Sequence, residues 1–291
     1  MNVGIVGSSP LAAVVARRLS KAFRVHVLAP EWPTEHLQRE IVPVQDLAAL
    51  SQQCRVLLVC AASAALHDAA GFGARLPSGT TVVDLNSGDP ADAQALAAEL
   101  QQRGIGFIDA PLHCESHAAL PEASAITCGG PAGAVAAVRP LLEAICPKVI
   151  DFGDAGNGRA AALVVATVAA ANRLVTYETA AMGFCNGLSV EDMGTVLTRC
   201  SGNNSGTVRL LPAIAAGRTT ADVPLRSVVA DLTLASQLAA KVGAPMMIGN
   251  LVRSLLQAES NRLGSAAGLD DTFSRFHDAT RQSADRAQAV A

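Results

Sequence analysis

Short apolar runs alternate with helical patterns along the first half of the chain. The runs predict strands at 2–6, 25–28, 55–60, 80–85, 105–108, 125–128 and 148–152. Helical spacing lies between most of them, at 10–21, 45–53, 62–75, 90–103 and 131–145. Continuous apolar strands separated by helices are typical of a mostly parallel sheet that is covered on both faces. The pattern therefore predicts an α/β fold with an N-terminal, doubly wound sheet.

The strand signals stop near residue 155, and the rest of the chain has the pattern of an all-α domain. Its predicted helices are 158–186, 189–199, 206–216, 224–242, 245–263 and 270–285. The first is rich in Ala and apolar on almost every face, which is typical of a helix in a core or between subunits. We therefore predict domains at 1–155 and 156–291 and a homodimer, because the helix would otherwise expose a large apolar patch.

Composition excludes several classes of partner. Half of the residues are hydrophobic, 16% are charged and the net charge is −3, which argues against a nucleic-acid or anionic-membrane partner. The start MNVGIVGSS has no signal-peptide pattern, and the longest apolar stretch, 160–171, is shorter than the roughly 20 residues of a spanning helix. From these features we expect a soluble, cytoplasmic protein. The seven Cys lack the spacing of a metal site, so we expect reduced thiols and no metal.

A glycine-rich turn follows the first strand. A Rossmann-type dinucleotide domain has glycines at three positions of this turn, and here those positions hold Gly7, Ser9 and Ala12. Ala12 suits helix packing, whereas Ser9 narrows the approach of a diphosphate and Pro10 removes one N–H donor. The alternative is a plain strand–helix turn without a ligand. Because the turn lies between a strand and a helix, we predict NAD or NADP binding by residues 7–11, namely Gly7, Ser8, Ser9, Pro10 and Leu11.

Other cofactor contacts are predicted at the ends of later strands. Glu31 lies 24 residues after Gly7, where an acid would accept a hydrogen bond from the ribose 2′-OH, and this weakly favours NAD over NADP. The alternative for Glu31 is a solvated loop charge. The remaining predicted contacts are Ala61, Asn86 and Ser87.

Four stretches in order resemble the β-hydroxyacid dehydrogenase family, which includes 3-hydroxyisobutyrate and 6-phosphogluconate dehydrogenases. They are VGIVGSSPLAAVVARRLSKAF at the start, FIDAPLHCESHAALPEASAITCGG at 107–130, GDAGNGRAAALVVATVAAANRL at 153–174 and PLRSVVADLTLASQLAAKVGAPMM at 224–247. The tail GLDDTFSRF at 268–276 is similar to the family's C-terminal stretch. The resemblance implies a nicotinamide-dependent oxidoreductase with a small-molecule substrate.

The positions that the family uses for chemistry differ here. The family has a catalytic Lys and, four residues later, an Asn, where this chain has Ala162 and Ala166; another Lys is replaced by Ala230. Losing a placed general acid or base commonly costs about 10²–10⁴ in rate. The family's usual reaction by its usual route is therefore not expected. Tyr177 lies roughly 22 Å along the helix from Ala162, too far to replace the Lys within one subunit.

The substrate segment has different polar groups. After Asp109-Ala110-Pro111-Leu112 the family has a Ser-Gly-Gly that binds a carboxylate, whereas this chain has His113, Cys114 and Glu115, with His117 nearby. We predict His113 as an acid or base that titrates near neutral pH, and Cys114 as a nucleophile. The alternative is that they are ordinary loop residues. The predicted substrate contacts are Pro111, His113, Cys114, Glu115 and Asn203.

Two hypotheses of function follow. The first is an NAD(P)-dependent oxidoreductase with a remodelled active site that acts on a small carbonyl, hydroxy acid or imine. An imine that is already protonated when it accepts hydride would tolerate loss of the Lys. The second is a non-catalytic or differently catalytic relative that serves as a binding or assembly scaffold. Absence of binding of both NADH and NADPH would remove the first, and turnover of a hydroxy acid that disappears in His113→Ala would count strongly against the second.

Overall fold

The computed structural model of the protein describes residues 1–28, 40–60, 69–114, 124–216, 218, 223–264 and 266–272. The chain divides into two compact units, Met1–Ala162 and Leu163–Ala291. The domain boundary that we place after residue 155 stays a prediction.

A six-stranded sheet forms the centre of the first unit. Its strands are β1 (Asn2–Val6), β2 (Arg24–Leu28), β3 (Ile41–Pro43), β4 (Val56–Val59), β5 (Thr81–Asp84) and β6 (Gly106–Asp109). They are ordered β3-β2-β1-β4-β5-β6, and each pairs in parallel with its neighbours. The order reverses between β1 and β4, and in such sheets ligands bind beyond the carboxyl ends of the strands at this point. The predicted doubly wound sheet is confirmed.

Helices cover both faces of this sheet. They are α1 (Pro10–Leu19), α2 (Leu47–Gln53), α3 (Ala69–Ala74), α4 (Pro90–Gln102) and α5 (Ala132–Ile145). Successive side chains along a strand point to opposite faces of the sheet, so each strand contributes residues to two apolar cores. Val3 and Ile5 pack with α1 and α5, whereas Val6 packs with residues of α2 and α4. Burial on both faces explains why apolar residues occupy consecutive positions in these strands.

A small second sheet adjoins the end of β6. It consists of β7 (Leu112–His113), β8 (Ala125–Cys128) and β9 (Val149–Asp151). An antiparallel bridge between Asp109 and Gly129 connects the end of β6 to the residue that follows β8. The sequence did not predict β3 or β7, since three and two residues are too few to show a hydrophobic period.

The second unit is helical over its described residues, as predicted. Helix α6 (Asn157–Cys185) begins in the first unit and continues into the second. It is followed by α7 (Val190–Arg199), a π-helical turn (Gly206–Leu210), α8 (Leu211–Ala215), α9 (Leu225–Val242), α10 (Met247–Leu263) and a 3₁₀ turn (Leu269–Thr272). The helix predicted at 206–216 therefore starts with π geometry, and that predicted at 270–285 lies outside the described residues beyond Thr272.

Helix α6 is long and apolar enough, by length and composition alone, to cross a membrane. The apolar stretch 160–171 of the sequence is shorter than this helix, because Asn172 and Arg173 follow it. Leu174 and Tyr177 on this helix belong to the apolar core of the second unit, together with Leu232 and Leu256. One face of the helix therefore packs in the core of the second unit.

Candidate functional site

The turn between β1 and α1 lies where the strand order reverses. Gly7 has φ +127°, a conformation that L side chains rarely adopt, so the position requires glycine. Ser9 is the N-cap of α1: its Oγ accepts from the Ala12 N–H at 3.2 Å and donates to the Cys60 carbonyl at 2.6 Å. The Ser9 side chain is therefore held towards β4, and its hydroxyl hydrogen is already used.

Backbone donors of this turn remain available. Among the described residues, no hydrogen bond is formed by the N–H groups of Ser8, Ser9 and Leu11. Ser8 and Pro10 are exposed, whereas Leu11 and Ala12 are buried against the core. Unpaired amides at a helix N-terminus form a binding site for anions such as a diphosphate. The turn therefore fits the phosphates of a dinucleotide.

The end of β5 carries a buried carboxylate that organises the next residues. Asp84 is fully buried, and its Oδ1 accepts from the Asn86 N–H at 3.1 Å and from Asn86 Nδ2 at 2.6 Å. Asn86 Nδ2 also donates to the Val59 carbonyl at 3.3 Å. With its NH₂ group used in this way, Asn86 offers its carboxamide oxygen as an acceptor. Ser87, beside it, is exposed.

A buried arginine completes this arrangement. Arg159, in the first turn of α6, is 4% exposed and donates from Nη2 to Asp84 Oδ2 at 2.5 Å. Its Nη1 donates to the Asp89 carbonyl at 2.9 Å. The Asp84 carboxylate is thus shared between Asn86 on one oxygen and Arg159 on the other. Neither Arg159 nor Asp84 could be identified from the sequence, because their pairing spans 75 residues and has no local pattern.

Asp109, at the end of β6, holds the start of α6. Its carboxylate accepts from the Gly156 N–H at 2.8 Å and from the Arg159 N–H at 2.7 Å. Burial raises the pKa of Asp109, and these two hydrogen bonds act in the opposite direction. A carboxylate at this place satisfies donors that a helix N-terminus leaves unpaired. Asp109 therefore has a structural role that its place in the Asp-Ala-Pro motif did not reveal.

Close backbone contacts fix the same helix start. A Cβ on Gly158 would lie 2.6 Å from the Asp109 carbonyl oxygen and 2.7 Å from that of Thr127. Side chains do not approach backbone this closely, so only glycine permits the contact. The first turn of α6 is therefore packed tightly against the ends of β6 and β8.

His113 is connected to this helix start through a threonine. Thr127 Oγ1 donates its one hydrogen to the Gly158 carbonyl at 2.9 Å, so it accepts from His113 Nε2–H at 2.8 Å. Burial lowers the pKa of His113 to about 4. The ring is therefore neutral at pH 7, with Nδ1 unprotonated, and does not titrate near neutrality as its residue type suggested.

The other predicted site residues occupy different surroundings. Cys114 is half-buried beside His113, and the neutral ring brings no positive charge to stabilise a thiolate there. Pro111 is buried, and its carbonyl accepts from the Thr127 N–H at 3.2 Å. Asn203, in the second unit, is exposed, and its N–H donates to the Cys200 carbonyl at 3.1 Å. Their roles in binding substrate stay predictions.

Three of the predicted site residues lie outside the described part of the chain. They are Glu31, Ala61 and Glu115, and the same holds for His117. The three positions at which the family resemblance implies a replaced Lys or Asn are described: Ala162 is buried, Ala166 is half-buried and Ala230 is exposed.

Comparisons with known protein families cover both units. A family model described as the NAD binding domain of 6-phosphogluconate dehydrogenase matches residues 2–153. A second, described as the NAD-binding of NADP-dependent 3-hydroxyisobutyrate dehydrogenase, matches residues 156–273. The first match alone spans more than half of the chain.

Individual proteins give the same result. The chain is 28% identical over 212 residues to the L-threonate dehydrogenase of Cupriavidus necator, which covers 70% of this chain and 71% of that protein. The structure of Psf3 in complex with NADP+ and 2-OPP superposes with a TM-score of 0.79 at 26% identity, covering 90% of this chain and 95% of that one. An imine reductase of Streptomyces aurantiacus shares the fold, with a TM-score of 0.61, 18% identity and coverage of 96% and 99%.

Proposed function

Since the chain belongs to the NAD(P)-dependent β-hydroxyacid dehydrogenase family, we propose that it is an oxidoreductase with a remodelled active site that acts on a small carbonyl, hydroxy acid or imine. The cofactor is NAD or NADP, as predicted. The preference for NAD is part of the proposal. It depends on Glu31, which lies outside the described residues.

The observation that carries this proposal is the turn after β1. Gly7 at φ +127° and the N–H groups of Ser8, Ser9 and Leu11, which have no hydrogen-bond partner among the described residues, would form an anion site at the point of strand reversal. Bound there, the nicotinamide dinucleotide would exchange hydride with the substrate. Asn86 and Ser87, at the carboxyl end of β5, would contact its nicotinamide end.

The described polar groups favour a substrate that does not require a lysine. Ala162 cannot supply a proton or a positive charge to a developing alkoxide. His113 is neutral at pH 7, so it would accept a hydrogen bond at Nδ1 rather than donate a proton. An imine, protonated before it receives hydride, makes the smallest demand on such a site. A hydroxy acid would need its proton to leave through water or another group.

Calorimetry with NADH and NADPH tests the binding half of the proposal. We expect wild-type protein to bind at least one of them and Gly7→Ala to lose that binding, because alanine does not tolerate the φ of this position. Gly133→Ala is the matched control, since a Cβ there meets nothing within 4 Å. Absence of binding of both cofactors to the wild type would leave the scaffold hypothesis.

Turnover assays test the catalytic half. Small 2- and 3-hydroxy acids are offered with the oxidised cofactor, and small cyclic imines with the reduced cofactor. We expect the imines to be reduced faster than any hydroxy acid is oxidised. Cofactor binding without turnover in either panel would contradict the catalytic proposal and support a binding role.

Homodimerisation and a cytoplasmic location are further parts of the proposal. Helix α6 exposes a stripe of apolar side chains at helical spacing, consisting of Val164, Val168, Val175 and Met182. In the same unit, α10 exposes Met247, Ile248, Leu251 and Leu255 on one face. Exposed apolar stripes of this kind support self-association. A clean monomer in light scattering at micromolar concentration would contradict the dimer.

A further inference from the structure

Burial of the Arg159 guanidinium is energetically unfavourable and needs an explanation. Its guanidinium lies inside the first unit at 4% exposure, and among the described residues its Nε has no hydrogen-bond partner. Burying a charge with an unpaired donor is expensive, and well-packed apolar residues often replace such ion pairs without loss of stability. The contacts of this side chain therefore indicate a role besides simple stabilisation.

These contacts hold one segment at both ends. Nη2 binds the carboxylate of Asp84, at the end of β5, and Nη1 binds the carbonyl of Asp89, just before α4. The Asp89 side chain caps α4 by accepting from the Ala91 N–H at 2.8 Å. The residues between Asp84 and Asp89, Leu85 to Gly88, are thus spanned by a single planar guanidinium.

The guanidinium also lies directly against this segment. A Cβ built on Gly88 would be 3.0 Å from Arg159 Nη1 and 3.1 Å from its Cζ. Asn86 is coupled to the same group, since its N–H and Nδ2 donate to the other oxygen of Asp84. A displacement of the guanidinium would therefore be transmitted to Asn86 through a single carboxylate.

We propose that Arg159 is a positioning residue that fixes the segment Asn86–Gly88 and so sets how Asn86 and Ser87 meet the nicotinamide end of the cofactor. This inference rests on the proposed function, because it takes these two residues as cofactor contacts. Arginine suits the task because its rigid fork carries two N–H donors at a fixed spacing, which the single ammonium of a lysine does not reproduce.

The test compares two buried arginines on the same helix. Arg159→Lys and Arg159→Gln alter the proposed positioning residue, and Arg173→Lys alters a similarly buried arginine of the second unit that pairs with Asp270. Thermal unfolding of each variant reports its stability. We expect the Arg159 variants to raise the cofactor Kd and KM about tenfold, corresponding to about 1.4 kcal/mol, with Lys milder than Gln. Arg173→Lys should lose stability while its cofactor Kd stays unchanged.

Gly88→Ala alters the contact between Gly88 and the Arg159 guanidinium while leaving Arg159 unchanged. Its methyl group would displace the guanidinium without altering its charge, so we expect a rise in cofactor Kd of the same order as in Arg159→Lys. Wild-type Kd in both Gly88→Ala and Arg159→Gln would overturn the proposal. An equal rise of Kd in Arg173→Lys would do the same, because it would reduce the effect to general destabilisation.

Amide hydrogen exchange in the free protein separates this proposal from the proposed function. The Asn86 N–H is bonded to Asp84, so its exchange should accelerate at least about tenfold in Arg159→Gln and remain unchanged in Arg173→Lys. If the wild type binds neither cofactor, the proposed function fails, and with it the cofactor role of Arg159. Unchanged exchange of Asn86 in Arg159→Gln would instead refute the positioning itself.

Discussion

Arg159 and Arg173 lie on the same helix, and each is 4% exposed, but their surroundings differ. Arg159 pairs with Asp84, whose side chain is 1% exposed, and also binds a backbone carbonyl. Arg173 pairs with Asp270, which is 17% exposed, and donates to the Tyr177 hydroxyl at 3.0 Å. The Arg159–Asp84 pair is buried in the first unit, whereas the Arg173–Asp270 pair is partly exposed to water.

The difference shows that burial of a charge can serve two purposes. Arg173 and Tyr177 fasten the 3₁₀ turn Leu269–Thr272 to α6, because both contact Asp270. Arg159 instead joins the start of α6 to both ends of the segment between β5 and α4, at the carboxyl end of the sheet. We therefore expect the Arg159 pair to matter more for stability, and to be the one of the two that matters for the ligand.

Removing the negative charge from each pair gives the largest expected effect. Asp84→Asn removes the carboxylate with which the buried Arg159 guanidinium pairs directly, and we expect a loss of about 3–5 kcal/mol in the free energy of unfolding. Asp270→Asn should lose about 1–3 kcal/mol, because its site is partly hydrated. Chemical denaturation followed by circular dichroism measures both. Glu99→Gln, in an exposed pair with Arg103, is the control and should change stability by less than about 0.5 kcal/mol. Equal losses at Asp84 and Asp270 would contradict the comparison.

The tight start of α6 predicts a smaller loss. Gly158→Ala places a methyl group 2.6 Å from the Asp109 carbonyl, and relieving that clash should cost about 1–3 kcal/mol. Gly133→Ala, in an open position of α5, should instead stabilise the protein by about 0.5–1 kcal/mol, because alanine favours helix. The same denaturation experiment measures both, and a neutral Gly158→Ala would show that the helix start can move.

His113 makes stability depend on pH in the acid range. The folded pKa of about 4 lies below the ordinary value of 6.5, so between these values the unfolded chain binds the additional proton. The free energy of unfolding should therefore fall as the pH is lowered from 6.5 towards 4, and His113→Gln should reduce that slope. His26 is also buried with a lowered pKa, but it is present in both proteins and does not enter the difference. Parallel pH profiles of the two proteins would contradict the burial of His113.

Tyr177→Phe should give the smallest effect. It removes a hydroxyl that is bonded to Arg173 at 3.0 Å and to Asp270 at 3.2 Å but leaves the ion pair in place. We expect a loss of about 0.5–1.5 kcal/mol. Urea denaturation at neutral pH measures it. A loss as large as that of Asp84→Asn would mean that the hydroxyl, rather than the ion pair, fastens the 3₁₀ turn.

The elements that the sequence predicted well are those whose signal is local. Strand β4 is a continuous apolar run, β1 and β5 contain shorter ones, and α6 is one uninterrupted helical pattern, so these elements are visible along the chain. The turn at Gly7 could be located because it lies between two such elements. Strand β7 could not, since pairing with β8 rather than a hydrophobic period defines its two residues.

The residues of the candidate site likewise differ in whether they are close together or far apart in the sequence. The turn after β1 is built from consecutive residues, so the sequence could predict it as a candidate dinucleotide site. The network of Asp84, Asp109 and Arg159 depends on contacts 47 to 75 residues apart, and only the fold brings these groups together. His113 was predicted as an acid or base from its residue type. Its pKa is lowered by burial, which depends on the tertiary structure and cannot be read from the local sequence.

The bond from Ser9 to the Cys60 carbonyl has an energetic consequence. Because that hydroxyl ties the turn to the end of the neighbouring strand, a dinucleotide bound there as proposed would spend little of its interaction energy on ordering the protein. A glycine in its place would match the usual fingerprint more closely yet would release the tether. Conformity to a motif and readiness to bind are therefore separate properties in this loop.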